Sequence, residues 1–189
     1  MQPPALETTR LLLRPLAFED APAIQRLFPH WEIVRLMDGH IPWPYPPDGA
    51  ETYLREVALP AAARGEAWHW TLRRKTEPET VIGVISLMDK EDDNRGFWLG
   101  LEWQGHGLMT EASDAVTDYW FEVLGKPRLR APKAVENKAS RRISERSGMR
   151  VVRTMRKQLV SGEHDSEVWE ISAENWRERR NRPAKNSRS

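Results

Sequence analysis

The sequence predicts an α/β (α+β) domain in which a mixed, mostly antiparallel sheet carries helices on both faces. Three observations point there. Apolar residues at 108, 109, 112, 115, 116, 119, 120, 123 and 124 recur at helical spacing, so 108–124 reads as an amphipathic helix that Gly125 ends. Short apolar runs of strand length, separated by polar turns, flank it on both sides. Taken in order the elements read β-α-α-β-β-β-α-β-α-β-β, a pattern that layers helices onto a sheet.

Residues 9–16, Thr-Arg-Leu-Leu-Leu-Arg-Pro-Leu, form the opening strand, stopped by Pro15. Phe18 to Phe28 is a helix with Pro22 near its first turn and Ala23, Ile24, Leu27 and Phe28 on one side. Residues 29–47 carry Trp31, Trp43 and Tyr45 among five prolines, which is too proline-rich for regular structure and too aromatic for a plain linker. Those aromatics either cover the edge of the core or form a lip for a ligand. Asp48 and Glu51 make a capping box for a second helix, with Tyr53, Leu54, Val57 and Ala58 inward and Pro60 disturbing its end. Residues 67–73 and 81–88 are adjacent antiparallel strands joined by the polar stretch 74–80, and 95–101 is a third. After the main helix come a strand at 128–135 containing Pro132, a short helix from Asn137 to Gly148, and strands near 149–157 and 166–172. One domain over 1–176 accounts for all of this. The basic tail 177–189 has little to anchor it and is expected to be disordered.

Composition removes several kinds of chemistry. The 189 residues suit one core, and a net charge of +1 with 39% hydrophobic residues marks neither a polyanion binder nor a disordered chain. No cysteine is present, which excludes disulfides, thiolate metal sites and an acyl-cysteine intermediate. Histidines 30, 40, 69, 106 and 164 show no metal-binding spacing, so no metal is expected. No Gly-x-Ser-x-Gly elbow supports a serine hydrolase. No apolar run approaches membrane-spanning length and the N-terminus lacks a leader pattern, so no membrane partner and a cytoplasmic location are expected. One local imbalance stands out. Between Arg128 and Lys157 eleven Lys/Arg face only Glu136 and Glu145.

The stretch Trp103-Gln-Gly-His-Gly-Leu-Met-Thr-Glu-Ala112 connects a strand to the N-terminus of the best helix. First-turn N–H groups carry the positive end of the helix dipole, and Gly105 and Gly107 let an anion approach the backbone. The P-loop pattern is missing, and so is the third glycine of the dinucleotide fingerprint. An ordinary glycine turn capping a core helix stays open. The stretch resembles the pyrophosphate loop of the GNAT superfamily of N-acetyltransferases, Gln/Arg-x-x-Gly-x-Gly/Ala, met by Gln104 and Gly107 with Met109 at the last place. Thr110-Glu111-Ala112 is similar to the branch of ribosomal-protein alanine N-acetyltransferases. A second signature, Asn137-Lys138-Ala139-Ser140 followed by Glu145 and Gly148-Met149, resembles the family's Asn-x-x-Ser…Glu-x-x-Gly-Phe.

The resemblance covers about residues 8–176 and implies a sheet splayed at its centre, with acetyl-CoA as co-substrate. It implies that the pyrophosphate sits on residues 105–110, namely Gly105, His106, Gly107, Leu108, Met109 and Thr110, beside Gln104. The pantetheine arm would pair with Leu99, Gly100 and Leu101, and Asn137 would serve as cofactor ligand, N-cap or both. One or two of the basic-strip residues would reach the 3′-phosphate side. Ser140 would stand near the cofactor sulfur as the catalytic donor, in place of the tyrosine that many members carry and this chain lacks. Trp31, Trp43 and Tyr45 would border the acceptor.

The acceptor that the resemblance implies is a primary amine, either a small molecule or a protein N-terminus, with a ribosomal protein as a possible partner and the chain a monomer or homodimer. The amine must attack uncharged, which at pH 7 costs about 1 kcal/mol for an α-amine and about 5 for a lysine. No carboxylate in 95–101 offers itself as base, and His40 is a lone loop histidine. Two other readings compete. The basic strip and nine tryptophans would suit a nucleic-acid or ribosome-binding protein, and a non-catalytic CoA-binding domain would share the same loop.

Overall fold

The structure, a computed structural model, describes residues 3–181. Along the chain these form β1 (Leu6–Glu7), β2 (Leu11–Pro15), α1 (Ala21–Leu27), α2 (Trp31–Val34), α3 (Gly49–Tyr53), α4 (Leu59–Ala63), β3 (Ala67–Arg74), β4 (Glu77–Met88), β5 (Arg95–Leu99), α5 (Leu108–Asp118), β6 (Arg128–Ala134), α6 (Lys138–Arg146), β7 (Arg150–Leu159), β8 (Gly162–Ser172) and α7 (Ala173–Asn181). Wide π-type turns at Leu54–Ala58 and Tyr119–Val123 join α3 to α4 and prolong α5. The expected mixed fold is present. β1 to β5 make one antiparallel sheet in sequence order, and β6-β8-β7 make a second.

The two sheets touch at one point and then part. Asn94, just before β5, donates its N–H to the carbonyl of Arg130 on β6 at 2.7 Å, and its Oδ1 accepts from the Arg130 N–H at 2.8 Å. Beyond this pinch no ladder joins β5 and β6. The sequence explains why. Backbone groups alternate direction along a strand, so position 132 presents itself to β5 as Arg130 does, and there stands Pro132, which has no N–H to give. A proline inside a strand is tolerated because β6 is the edge of its sheet.

Each face of the large sheet has its own core. Leu11, Leu13, Trp70, Leu72, Ile85 and Leu99 pack against Leu108, Ala112 and Val116 of α5, and Leu129, Ala131 and Trp169 carry the same core into the small sheet. On the other face Ile24, Phe28, Ala50 and Leu54 from the helices cover Leu16 and Val84. Beside this second core a buried ion pair, Arg73 Nη2 to Asp20 Oδ1 at 2.7 Å, fastens β3 to the entry of α1.

Several local expectations are corrected. The strand expected over 95–101 ends at Leu99: the Gly100 N–H makes one last in-register bond to the Ile82 carbonyl of β4, and Leu101–Trp103 then close into a 3₁₀ turn. The proline-rich loop contains the helical turn α2. Pro60 does not end its helix; it enters α4 in the first turn, where a missing N–H costs nothing. Asp48 makes no capping bond, and the Ala50 N–H is met instead by Gln25 Oε1 of α1 at 2.9 Å. The chain expected to be disordered from residue 177 stays helical to Asn181, since Arg177, Arg179 and Arg180 find Glu122, Asp114 and Asp118. Those partners lie too far away in sequence to be read from the tail. The rest of it, 182–189, lies outside the described residues.

Candidate active site

The glycine loop leaves β5 at the parting of the sheets and enters α5. Gly105 and Gly107 have φ of 82° and 74°, left-handed values that a side chain resists. A Cβ at Gly105 would meet nothing within 4 Å, so open space lies before the loop. Gly107 is the N-cap of α5, and no side chain caps the first turn. This N-terminus therefore keeps its partial positive charge available to an anion.

The neighbouring motif residues divide by role. Leu108 and Met109 are 5% and 7% exposed and belong to the core, which leaves only their backbone to a ligand. Gln104 folds back, its Nε2 donating to the Leu99 carbonyl at 2.9 Å, and so ties the loop to the end of β5. The His106 carbonyl accepts from Arg10 Nη1 at 2.9 Å. Arg10 is held in turn by Glu111, whose Oε2 takes Arg10 Nε and whose Oε1 takes the Arg10 N–H, both at 2.7 Å, with the Thr8 hydroxyl as a further donor. Burial pushes the Glu111 carboxyl up, and the hydrogen bonds from Thr8 and Arg10 outweigh it, leaving the group below its ordinary value. The sequence reading missed this brace. Its visible trace was Glu111 inside the loop motif; Arg10 lies about a hundred residues away, and only the fold joins them.

On the opposite side of the gap, Asn137 caps α6, its Oδ1 accepting from the Ser140 N–H at 3.1 Å. Its capping role leaves its own N–H₂ free to face a ligand. Ser140 is 8% exposed and its hydroxyl has no partner among the described residues. Leu101, in the 3₁₀ turn, is exposed and not in strand geometry, so strand-like pairing is available only up to Leu99 and Gly100. Between the parted strands Lys133 of β6 sets its Nζ 4.8 Å from the centre of the Phe97 ring of β5.

The aromatic residues of the loop separate. Trp31 and Trp43 are 42% and 41% exposed, with ring centres 5.4 Å apart, and form an open aromatic patch. Tyr45 turns inward onto Phe28 at 5.2 Å, and burial raises its phenol to about 12. It is part of the packing. Five of the eleven residues of the basic strip are neutralised by distant acids: Arg130 pairs with Asp92 and Glu170, Arg141 with Glu167, Arg153 with Asp92, Arg156 with Glu163 and Asp165, and Lys157 with Asp38 and Asp93. Lys138, Arg142 and Arg146 remain exposed along one side of α6 without an ion pair among the described residues.

A helix N-terminus beside two strands that part offers an anion site at the loop and an open strand edge next to it. Residues 10–150 match the family described as the Acetyltransferase (GNAT) domain, and the chain belongs to that family of acetyl-CoA-dependent transferases. It is 27% identical over 182 residues to an uncharacterized N-acetyltransferase, YoaA of Bacillus subtilis (strain 168), covering 89% of this chain and 96% of that one. YdaF of the same organism, provisionally named a ribosomal N-acetyltransferase, is 36% identical over 73 residues, a match to 36% of this chain and 40% of YdaF. In fold, the chain resembles the ribosomal-protein-S5-alanine acetyltransferase of Vibrio fischeri (TM-score 0.77, 18% identity, 92% of this chain and 99% of that one). It also resembles RimL, a ribosomal L7/L12 α-N-protein acetyltransferase solved with coenzyme A (TM-score 0.76, 21% identity, 89% and 98%). No helix among the described residues is long and apolar enough to cross a membrane. No group of three or more His, Asp or Glu among them could hold a metal ion.

Proposed function

We propose that this chain transfers the acetyl group of acetyl-CoA to a primary amine by direct attack on the thioester. The observation that carries this reading is the coincidence of the uncapped α5 N-terminus with the gap that opens between β5 and β6. The pyrophosphate takes the backbone N–H groups of residues 105–110, with Gln104 and Arg10 fixing the loop's shape. The pantetheine amides pair with the free edge of β5 at Leu99 and Gly100 and with Asn137. Ser140 donates its hydroxyl to the departing thiolate, a bond that strengthens only as charge develops on sulfur. Trp31 and Trp43 offer the acceptor an apolar, stacking entrance.

The acceptor is a small-molecule amine or a protein N-terminal α-amine, which is easier to neutralise than a lysine. Ribosomal proteins are the first class to try, because YdaF, RimL and the Vibrio enzyme carry names that refer to them. Nucleic-acid binding is the weaker reading, since five of the eleven basic residues of the strip are already held by carboxylates and Lys133 is buried.

Thiol release from acetyl-CoA across a panel of amines and N-terminal peptides tests the proposal. Ser140→Ala is expected to lower kcat about tenfold or more with acetyl-CoA affinity nearly unchanged. CoA binding without turnover on any amine would reduce the chain to a ligand-binding domain. Unchanged kcat in Ser140→Ala would make that serine structural.

A further inference from the structure

Acetyl transfer needs a group to take the amine's proton, and no carboxylate lies on β5 to do so. The gap holds another candidate. Asn94 and Arg130 form the pinch where the sheets still touch. Phe97 and Lys133 each lie three residues further on, so they face one another at the same height, about 10 Å into the opening. Lys133 follows Leu129 and Ala131 on the buried side of β6, is itself 8% exposed, and reaches across to lay its Nζ over the Phe97 ring. Among the described residues it makes no hydrogen bond and no ion pair.

We propose that Lys133 is the proton acceptor for the attacking amine, standing inside the gap into which the acetyl group is delivered. This rests on the acetyl-transfer reading above. In the step, the amine lone pair forms a bond to the thioester carbonyl carbon and the C–S bond breaks. Sulfur leaves with its electron pair as the thiolate. The amine's proton passes to the uncharged Lys133 Nζ, and from there to the thiolate or to water.

The surroundings make an uncharged lysine accessible near neutral pH. Burial is the main cause, aided by the nearby Arg95 of β5 and Lys157 of β7 and opposed by Asp93, and together they bring Lys133 down to about 7. Glu167, opposite Lys133 on β8, cannot neutralise it, because Arg141 of α6 holds that carboxylate at 2.9 and 3.2 Å and Trp169 Nε1 donates to it at 3.1 Å. Arg95 is buried with its Nη groups on the Thr117 hydroxyl and the Met149 sulfur, and Asp114 of α5 acts on it from a distance. Lys157 is shared between Asp38 and Asp93, and its own positive charge offsets part of Asp93's pull on Lys133. A general base works best with a pKa close to the working pH.

The test uses an acceptor whose amine is uncharged throughout the pH range, so that its own titration does not enter. Wild-type kcat/KM is expected to rise with pH and level off near neutrality. In Lys133→Met and Lys133→Arg, kcat should fall about 100-fold or more, that rising limb should vanish, and acetyl-CoA affinity should stay within about twofold. Replacing a buried lysine that has no ion pair with Met, of similar length, threatens folding little, and NMR of labelled lysine side chains gives a second measurement in the wild type. Retention of the limb and of kcat in Lys133→Met would overturn the proposal, as would an Nζ that stays charged well above neutral pH. Acetylation of Lys133 itself on incubation with acetyl-CoA alone would make it a nucleophile instead. A wild type that turns over no amine defeats the acetyl-transfer reading, whereas turnover indifferent to Lys133 defeats only this one.

Discussion

Glu111, in the first turn of α5, accepts both the backbone N–H and the guanidinium Nε of Arg10, each at 2.7 Å. The pair joins the start of β2 to the loop, because the same guanidinium donates to the His106 carbonyl. It fixes the loop from behind while its open side faces solvent. Glu111→Ala should release Arg10 and let the loop relax. Arg10 is half exposed, so screening reduces the charge contribution, and the expected loss is about 1 kcal/mol, or several-fold in acetyl-CoA affinity. Isothermal calorimetry with CoA measures it; an unchanged affinity would make the brace irrelevant to the loop.

Gly107 has a φ of 74°, which a β-branched residue adopts only with strain. Gly107→Val is expected to weaken acetyl-CoA binding about tenfold or more, through strain and lost charge-assisted hydrogen bonds. Normal affinity in a folded variant would take the loop out of the site.

Asp20 and Arg73 form an ion pair whose side chains are 9% and 10% exposed. Arg73 also donates to the Glu79 carbonyl at 2.9 Å, but among the described residues only Asp20 forms an ion pair with it. Asp20→Ala leaves a buried guanidinium and should cost about 3 kcal/mol in urea unfolding. A loss below about 1 kcal/mol would mean that water reaches Arg73.

His69 is buried on β3, with Nδ1 2.7 Å from the Ser86 hydroxyl and Nε2 without a partner among the described residues. Burial lowers it from 6.5 to about 4. The unfolded chain then binds the proton more readily than the folded one, so stability is complete above about pH 6.5 and falls as pH drops toward 4. The shift corresponds to about 3 kcal/mol at the acid end. His69→Gln, which keeps a hydrogen-bonding group without titrating there, should flatten the pH dependence of the melting temperature over this window. An unaltered slope would show that other groups carry the acid sensitivity.

Much of the candidate site's backbone geometry was legible because it is local. Gly105 and Gly107 before an apolar helix, and Asn137 three residues before Ser140, are patterns whose geometry follows from neighbours along the chain. The apolar periodicities placed most of the strands and the main helix for the same reason. The missed features join residues far apart in sequence. Gln25 capping α3, Arg10 on Glu111, and the arginines of α7 on α5 depend on pairings that no local pattern carries.

The sequence by itself determined the kind of sheet, the glycine turn at the α5 N-terminus, the absence of cysteine chemistry and the place of Pro132, since each follows from what one short stretch can or cannot do. Tertiary structure decided which charges stay charged. In the sequence Lys133 was one of eleven cations in a basic strip, and Arg141 and Arg156 looked no different from it. Folding gives those two carboxylate partners and buries Lys133 over the Phe97 ring with no ion pair among the described residues. The difference is one of solvation and charge pairing, which depend on what surrounds a side chain in space and not on its neighbours along the chain.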